Sequence, residues 1–275
     1  VAYARKAKEL SPNDASTAVA VGEIAYRAGN FPLAYSVLQA RARAGDKDPA
    51  VLHDLAMSAY ALGKVSEARQ TMQDCLSLSP NESQREDAKK FLTMTALEKP
   101  SPQAIAAEPE AEAVLRKQPD SVPALMVKAA IKMQRNQPGE AAAIYSKVLQ
   151  YYPDFAPAQK RLAAIYAENP NDIEKAHELA LKARSSLRDD PELARILARI
   201  SFQRKEFAYA AQLFEQSEAG QPLTAEDLYY MGIAQLQSKQ ETKGRETLDR
   251  ALKAGLSGRA AEEARRQLAA NSKSH

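Results

Sequence analysis

The chain has 275 residues, of which 45% are hydrophobic, 27% charged and 6% aromatic, and its net charge at pH 7 is +3. The 38 basic and 35 acidic side chains are mixed along the chain, without the basic stripe typical of nucleic-acid binders, so we expect no nucleic-acid partner. No apolar stretch approaches the roughly 18–20 residues that span a bilayer, so we expect no direct membrane insertion.

The first residues carry the pattern of a helix from an incomplete unit. The segment ARKAKELSP places Ala7 and Pro12 in phase with the units that follow. Because the chain begins at Val1 in the middle of this pattern, we expect a helical segment before it in the natural protein. The lone Cys75 suits a reducing compartment, but periplasmic proteins often lack disulfides too. The sequence therefore leaves the compartment of this soluble chain open between cytoplasm and bacterial periplasm.

Small residues recur from residue 34 onward at separations of 34, 39, 34, 35, 34 and 34 residues. They are Ala34, Ala68, Ala107, Ala141, Ala176, Ala210 and Gly244. A second, mostly apolar series lies four residues after each of these, and a third lies three residues further on. Spacings of four and three mark one face of a helix, so the three series predict one packed helix in every period.

A second helix with its own small residue precedes each of these, and proline beside Asp, Asn or Ser separates the pairs, as in SPND, DPAV and DPEL. Proline suits the first turn of a helix and the short polar side chains cap it. We predict a partial repeat and then seven helical pairs, followed by a capping helix. Their approximate bounds are 1–14 (partial), 15–48, 49–82, 83–121 (divergent), 122–155, 156–190, 191–224 and 225–258, with the capping helix at 257–270.

The unit at residues 83–121 departs from the common pattern. Five extra residues precede it, Thr95 takes the place of the small apolar residue, and EKPSPQA lengthens its internal turn. We expect a longer or irregular helix from Glu82 to Leu97.

This pattern resembles the tetratricopeptide repeat family, whose unit is about 34 residues long, with small residues where the paired helices cross. The family's large aromatic near the start of the first helix is nowhere Trp in this chain. The resemblance implies an all-α, right-handed α-α superhelix, a single solenoid over residues 1–275 with about seven helix-turn-helix repeats and a C-terminal capping helix.

Residues that could perform catalysis are scarce and scattered. The histidines His53, His177 and His275 lie without Cys or a second His at ligand spacing, and Cys75 sits on an apolar stripe. The sequence also lacks a phosphate-binding glycine loop, a nucleophile elbow and a zinc-protease helix motif. We therefore predict no enzyme activity, no catalytic or metal-binding residue and no cofactor, with an enzyme completed by a missing domain as a remote alternative.

The resemblance implies that the first helix of each pair faces a concave groove. The residues that flank the packed stripe on those helices are our candidates for partner binding: Tyr26, His53, Met57, Tyr60, Met126, Met133, Lys160, Arg195, Arg199, Phe202 and Tyr229. Exposed Met and Tyr side chains suit a groove that accepts an extended peptide or a helix. Alternatively, the tyrosines close contacts between neighbouring units and the methionines are packed.

Three of these candidates are cationic, namely Lys160, Arg195 and Arg199. Some members of the family hold an acidic C-terminal peptide with such cations and two Asn, and guanidinium groups bind carboxylates in a bidentate manner. The two Asn are absent here, where Met126, Ala130 and Ala164 stand. The cations therefore predict a partner with an acidic or C-terminal carboxylate group, or else a solvated face paired with Glu192 and neighbouring acids.

Together these features predict a non-catalytic scaffold or adaptor that binds a peptide or protein segment in the groove. The alternative is a structural or assembly subunit of a larger complex, such as a bacterial envelope or secretion apparatus, that self-associates or spaces other domains. The sequence leaves a homo-oligomer open and does not identify the partner.

Overall fold

The computed structural model describes residues 15–78 and 81–269, and these residues form α-helices and one short 3₁₀ segment, with no β-strand among them. The helices are α1 Ala15–Arg27, α2 Phe31–Arg43, α3 Pro49–Ala61, α4 Val65–Ser77, α5 Glu82–Ala96, α6 Pro102–Ala106, α7 Glu108–Lys117, α8 Val122–Gln134, α9 Pro138–Tyr151, α10 Ala156–Ala167, α11 Ile173–Arg184, α12 Pro191–Gln203, α13 Phe207–Gly220, α14 Ala225–Gln237, α15 Glu241–Lys253 and α16 Gly258–Ala269. The predicted all-α helical-repeat fold is confirmed. The predicted partial repeat at 1–14, His275 and the last residue of the predicted capping helix lie outside the described residues.

Two of the helices begin at Asp-Pro pairs of the sequence. Asp48 precedes the Pro at the start of α3, and its carboxylate accepts a hydrogen bond from the Ala50 backbone N–H. Asp190 does the same before α12, where its carboxylate accepts the Leu193 N–H at 2.8 Å. These side chains satisfy backbone donors that have no partner within the helix, which is why the Asp-Pro pairs mark the boundaries.

Most turns inside the helical pairs share one backbone feature. A residue with positive φ occurs in five of them, at Gly29, Gly63, Asn136, Lys205 and Lys239. Two of these five are Lys, which adopts this left-handed region only at an energetic cost. The turn geometry is therefore set by the packing of the two helices and not by glycine alone.

The three small-and-apolar series form the packed faces, except at Ala107, which is half-buried at the break between α6 and α7. Ala34, Ala68, Ala141, Ala176 and Ala210 are completely buried. So are nearly all members of the other two series, the clear exception being Arg41, whose guanidinium pairs with Asp46 at 2.9 Å. The periodic small residues are needed because paired helices cross closely at these positions.

The divergent unit contains the expected longer helix. Its first helix, α5, has 15 residues, two more than α3 or α4. Its second helix is interrupted, with α6 ending at Ala106 and α7 beginning at Glu108. Pro109 in the first turn of α7 accounts for the break, because proline has no N–H to continue the preceding helix.

The chain divides into two compact units, the first ending at Gln159 and the second beginning at Lys160. The first unit packs its core around Tyr60, Tyr145 and Phe155, and the second around Leu197 and Phe214. The assignment of residues 1–275 to a single solenoid with the repeat bounds given above stays a prediction.

In the second unit, α14 and α15 cross through glycine. A Cβ atom on Gly244 would lie 2.9 Å from the Gly232 carbonyl oxygen, and one on Gly232 would lie 3.1 Å from the Gly244 carbonyl oxygen. Both distances are shorter than ordinary van der Waals contact, so the backbones approach as closely as they do because neither residue has a side chain.

Candidate functional site

A cavity of about 250 Å³ in the first unit collects aromatic side chains from distant parts of the chain. Its aromatic wall consists of Tyr26, Phe31, Tyr60, Phe91, Tyr152 and Phe155. Three of the chain's six phenylalanines and three of its eleven tyrosines therefore face one small space. Met57, Met94 and His53 also line it.

The six rings form two groups. Phe31 lies between Tyr26 and Tyr152, with ring centroids 6.2 and 5.5 Å away. Tyr60 lies edge-on between Phe91 and Phe155, with centroids 5.4 and 5.2 Å away. Tilted and edge-to-face pairs at these distances are favourable because the positive edge of one ring meets the negative face of another. The rings therefore hold one another in place around the cavity.

Two tyrosine hydroxyls of this wall stay protonated. The Tyr60 hydroxyl donates a hydrogen bond to the Glu98 carboxylate, and burial, followed by the charge of Glu98, raises its pKa well above the ordinary value. Burial and then the nearby Asp54 raise the pKa of Tyr26 as well. Both causes disfavour a phenolate, so the aromatic wall is electrically neutral at physiological pH.

Charged residues stand beside the rings. Asp87, Lys90 and Asp120 line the same cavity. An adjoining surface hollow shares His53 and Asp87 with it and is also lined by Glu23, Arg27 and Asp54. The Lys90 ammonium lies 2.8 Å from Glu86 and 3.8 Å from Asp87, so the chain already pairs this cation.

In the second unit the two predicted arginines surround a completely buried carboxylate, Asp227. Arg199 Nε donates to Asp227 Oδ1 at 2.7 Å, and Arg195 Nη1 lies 3.4 Å from Asp227 Oδ2. The Thr224 hydroxyl donates to the same carboxylate at 2.7 Å as part of a capping box. Burial acts to raise the pKa of Asp227, but the hydrogen bonds from Thr224 and Arg199 and the arginine charges outweigh it and lower the pKa.

Lys160 belongs to a separate network of charges. Its ammonium lies 2.8 Å from Asp190 and 3.0 Å from Glu192, and Arg161 contacts Glu192 at 2.5 Å. Burial acts to raise the pKa of Glu192, but the charges and hydrogen bonds of Arg161 and Lys160 lower it to about 2. Glu192 is therefore ionised at physiological pH and forms ion pairs with both Lys160 and Arg161.

A cavity of about 620 Å³ in the second unit is lined by Phe202, Phe207, Tyr230 and Arg199, among others. Phe202 is edge-on to Phe207 and Tyr230, with centroids 5.5 and 4.9 Å away. The guanidinium carbon of Arg199 lies 5.6 Å from the Tyr230 ring centroid, within the range of a cation–π contact. This cavity therefore already contains a cation of the chain itself.

The structure brings some predicted partner-binding residues together and separates others. Tyr26, His53, Met57 and Tyr60 share the cavity of the first unit, whereas Arg199 and Phe202 share that of the second. The remaining predicted residues, which line neither cavity, are Met126, Met133, Lys160, Arg195 and Tyr229. Met133 and Tyr229 are half-buried.

For Met126 the structure corrects the expected exposure. Its side chain is only 2% exposed, because α8 is buried along the whole stretch from Val122 to Val127. Tyr60 is 1% exposed and contributes a wall of the cavity rather than a projecting side chain. The partner-binding roles of the predicted residues stay a prediction.

Sequence reasoning missed four members of the aromatic wall and the buried acid. Phe31 starts α2, Phe91 lies in the divergent unit, and Tyr152 and Phe155 lie at the junction before α10. No fixed spacing connects these positions, so the sequence contains no signal for their convergence. Asp227 could have been found, because Thr224 three residues before it completes a readable capping box.

Two further features concern what the described residues contain. Within residues 15–78 and 81–269, no group of three His, Cys, Asp or Glu side chains is placed to hold a metal ion. None of the helices described in those ranges combines the length and apolar character needed to cross a membrane.

Comparison with known proteins places the chain among repeat proteins. Two family models described as tetratricopeptide repeat match residues 49–82 and 132–200. A tetratricopeptide repeat protein from Parabacteroides merdae is similar in structure, with a TM-score of 0.40, 17% identity, and coverage of 92% of this chain and 97% of that one. A chain of the APC/C hetero-tetramer Cut9-Hcn1 has a TM-score of 0.44 and 16% identity, covering 74% of this chain and 46% of that one.

No curated protein matches the chain. Two separate matches to repeat models nevertheless fall on a chain of paired helices whose small residues recur at the family's period of about 34 residues. The chain contains tetratricopeptide repeats at residues 49–82 and 132–200.

Proposed function

We propose that this chain is an adaptor that binds a segment of a partner protein in the aromatic cavity of the first unit. Repeats of this family are in general non-catalytic protein-interaction scaffolds. The observation that supports this specific site is the convergence of six aromatic side chains, from Tyr26 to Phe155, on one cavity. Aromatic side chains that line a pocket are typical of the anchoring points of protein interfaces.

The size of the cavity favours one anchoring side chain of the partner. Pockets for whole small molecules have volumes of about 300–1,000 Å³. The cavity of about 250 Å³ is smaller, so it suits a single side chain while the rest of the segment lies outside. Met57 adds a flexible apolar contact that can adjust to the shape of the anchor.

The three predicted cations do not support this proposal. Lys160 contacts Asp190 and Glu192, and Arg195 and Arg199 contact Asp227. An acidic peptide or a C-terminal carboxylate would have to compete with these carboxylates inside the chain. Binding of an acidic group at these cations therefore stays a prediction, and the carboxylates of the chain itself would compete with that group.

The test is to select peptides from a random phage-display library for binding to the full chain. Met57→Lys places a positive charge in the wall of the cavity, and we expect peptides selected on the wild type to lose about tenfold or more in affinity, since burying an unpaired charge is costly. Isothermal titration calorimetry measures the affinity, and circular dichroism checks that the variant is folded.

Ile24→Lys provides the matched control, because Ile24 is 45% exposed in the same unit and does not line the cavity. We expect its peptide affinity to equal that of the wild type. Equal losses in the two variants, or a selection that enriches no peptide, would contradict the proposed site.

A further inference from the structure

None of the cations in residues 15–78 and 81–269 makes a cation–π contact with the rings of the first cavity. The cation–π contacts that the described residues make involve Tyr35, Tyr166, Tyr209 and Tyr230. None of these four tyrosines lines the cavity of the first unit. Phe31, Tyr60, Phe91 and Phe155 are at most 4% exposed, whereas Tyr26 and Tyr152 are half-buried, so a cation from outside would meet these two rings first.

In the cavity of the second unit, by contrast, a cation of the chain itself contacts an aromatic ring. There the Arg199 guanidinium lies against Tyr230, and its charge is balanced by Glu226 and Asp227. An aromatic wall, a cation and two carboxylates form one set of contacts within the chain. The first cavity has the aromatic wall and the carboxylates but no such cation over its rings.

Charge around the first cavity favours a positive ligand. Asp87 and Asp120 line it, and Glu23 and Asp54 line the adjoining hollow. The cations at these two places are Lys90 and Arg27, and Lys90 is already paired with Glu86 at 2.8 Å. Asp87 lies 3.8 Å from Lys90 and Asp54 lies 3.0 Å from His53, but the acids still outnumber the bases. A positively charged side chain entering the cavity would therefore approach a net negative charge.

We propose that the first cavity binds the guanidinium or ammonium group of an arginine or lysine in a basic segment of the partner protein. The half-buried rings of Tyr26 and Tyr152 attract the cation to their negative faces, and Asp87 and Asp120 attract it at the cavity wall. The aliphatic stem of the same side chain packs against Met57 and the ring edges. This inference rests on the proposed function and specifies its ligand. The ligand proposed here is basic, whereas the three predicted cations favoured an acidic partner.

The test uses two blocked tripeptides as probes, acetyl-Gly-Arg-Gly-amide and its citrulline counterpart, which has nearly the same shape but no charge. The chain contains six methionines, so a spectrum of methyl-labelled methionine is simple to interpret. Met57 and Met94 line the cavity and report binding, whereas the buried Met72 and Met231 do not line it and serve as internal controls.

We expect the arginine peptide to shift the Met57 and Met94 signals and the citrulline peptide to bind about tenfold more weakly, as the loss of a desolvated cation–π contact predicts. Neutralising the wall by Asp87→Asn with Asp120→Asn should weaken the arginine peptide by about threefold at low salt and less at high salt. Asp189→Asn, an exposed acid of the second unit, is the matched control and should change nothing. Tyr152→Leu should weaken the arginine peptide more than the citrulline peptide, because it keeps apolar volume but removes a ring.

Equal binding of the two probes, or selection by the phage library of peptides that depend on Met57 but have neutral or acidic anchors, would overturn this inference and leave the proposed function standing. Absence of any Met57-dependent peptide from the library would overturn both.

Discussion

At the scale of single residues, the arginines predicted as a binding site in the second unit form ion pairs within the chain. Asp227 is completely buried, and it is stable as a carboxylate because Thr224, Arg195 and Arg199 surround it. Burial acts to lower the pKa of Arg199, but its hydrogen bond to Asp227 and the charges of Asp227 and Glu226 raise it. The two groups therefore stabilise each other's charged forms.

Removing one partner of this buried pair should be costly. In Arg199→Met the Asp227 carboxylate loses its 2.7 Å contact, and we expect the free energy of unfolding to fall by about 3 kcal/mol, since an uncompensated charge stays buried. Urea unfolding followed by circular dichroism measures this. Arg188→Met, at an exposed position, is the control and should stay within about 0.5 kcal/mol of the wild type. Similar losses in the two variants would contradict a structural role for Arg199.

The Glu192 network should produce a pH-dependent contribution to stability. The pKa of Glu192 is lowered to about 2 in the folded chain, below its ordinary 4.5, so folding favours the ionised form. The stabilisation is therefore complete above about pH 4.5 and is lost as the pH falls toward about 2.

The comparison of the wild type with Glu192→Gln isolates this contribution. We expect the variant to be less stable by about 1–2 kcal/mol at neutral pH, where Lys160 and Arg161 lose their shared partner, and the difference to shrink at about pH 3. Urea unfolding at the two pH values measures the difference. A difference that is constant with pH would show that the ionised carboxylate contributes nothing.

At the scale of helices, the spacing of small residues controls how closely the pairs cross. Most pairs place alanine at the crossing, as at Ala34 and Ala210, and α14 and α15 place glycine there. The cost of an added methyl group therefore depends on what it would meet and not on the helical propensity of the residue.

Two glycine-to-alanine substitutions separate these effects. In Gly244→Ala the new Cβ would lie 2.9 Å from the Gly232 carbonyl oxygen and 2.8 Å from Leu236, so we expect destabilisation by about 1–3 kcal/mol. In Gly139→Ala nothing lies within 4 Å of the new Cβ, and the better helix propensity of alanine should stabilise by up to about 1 kcal/mol. Urea unfolding measures both changes. The same sign in the two variants would mean that propensity outweighs the helix crossing.

At the scale of the whole molecule, the chain consists of two compact units, each with a cavity of its own. The aromatic wall of the first cavity comes from four helices and the junction before α10, so it exists only when those helices are stacked. In repeat proteins each unit is stabilised mainly by its neighbours, so damage to one helical pair can alter a cavity formed by several.

The adaptor proposal predicts a monomer. If the first cavity is reserved for another protein, sizing chromatography with light scattering should give the mass of one chain, 30.1 kDa. A stable dimer that dissociates in Met57→Lys would mean that a second copy fills the cavity. It would then favour the alternative in which the chain is a self-associating assembly subunit.

The sequence by itself determined the helices, their pairing and the buried face of each. The period of small residues, the Asp-Pro boundaries and the longer helix of the divergent unit could all be read from it, because helix periodicity and capping depend on residues within about four positions of one another. Of the candidate site, four residues that share the first cavity were predicted, namely Tyr26, His53, Met57 and Tyr60.

Only the tertiary structure decided what those residues meet. The convergence of Phe31, Tyr152 and Phe155 and the pairing of Arg199 with Asp227 join positions that lie one or several periods apart. Such contacts depend on how successive helical pairs stack. Small differences in the angle between neighbouring pairs add up along the chain and change which side chains meet. For this reason the sequence predicts a basic site at the arginines, where the structure has an internal ion pair, and contains no signal for the aromatic cavity.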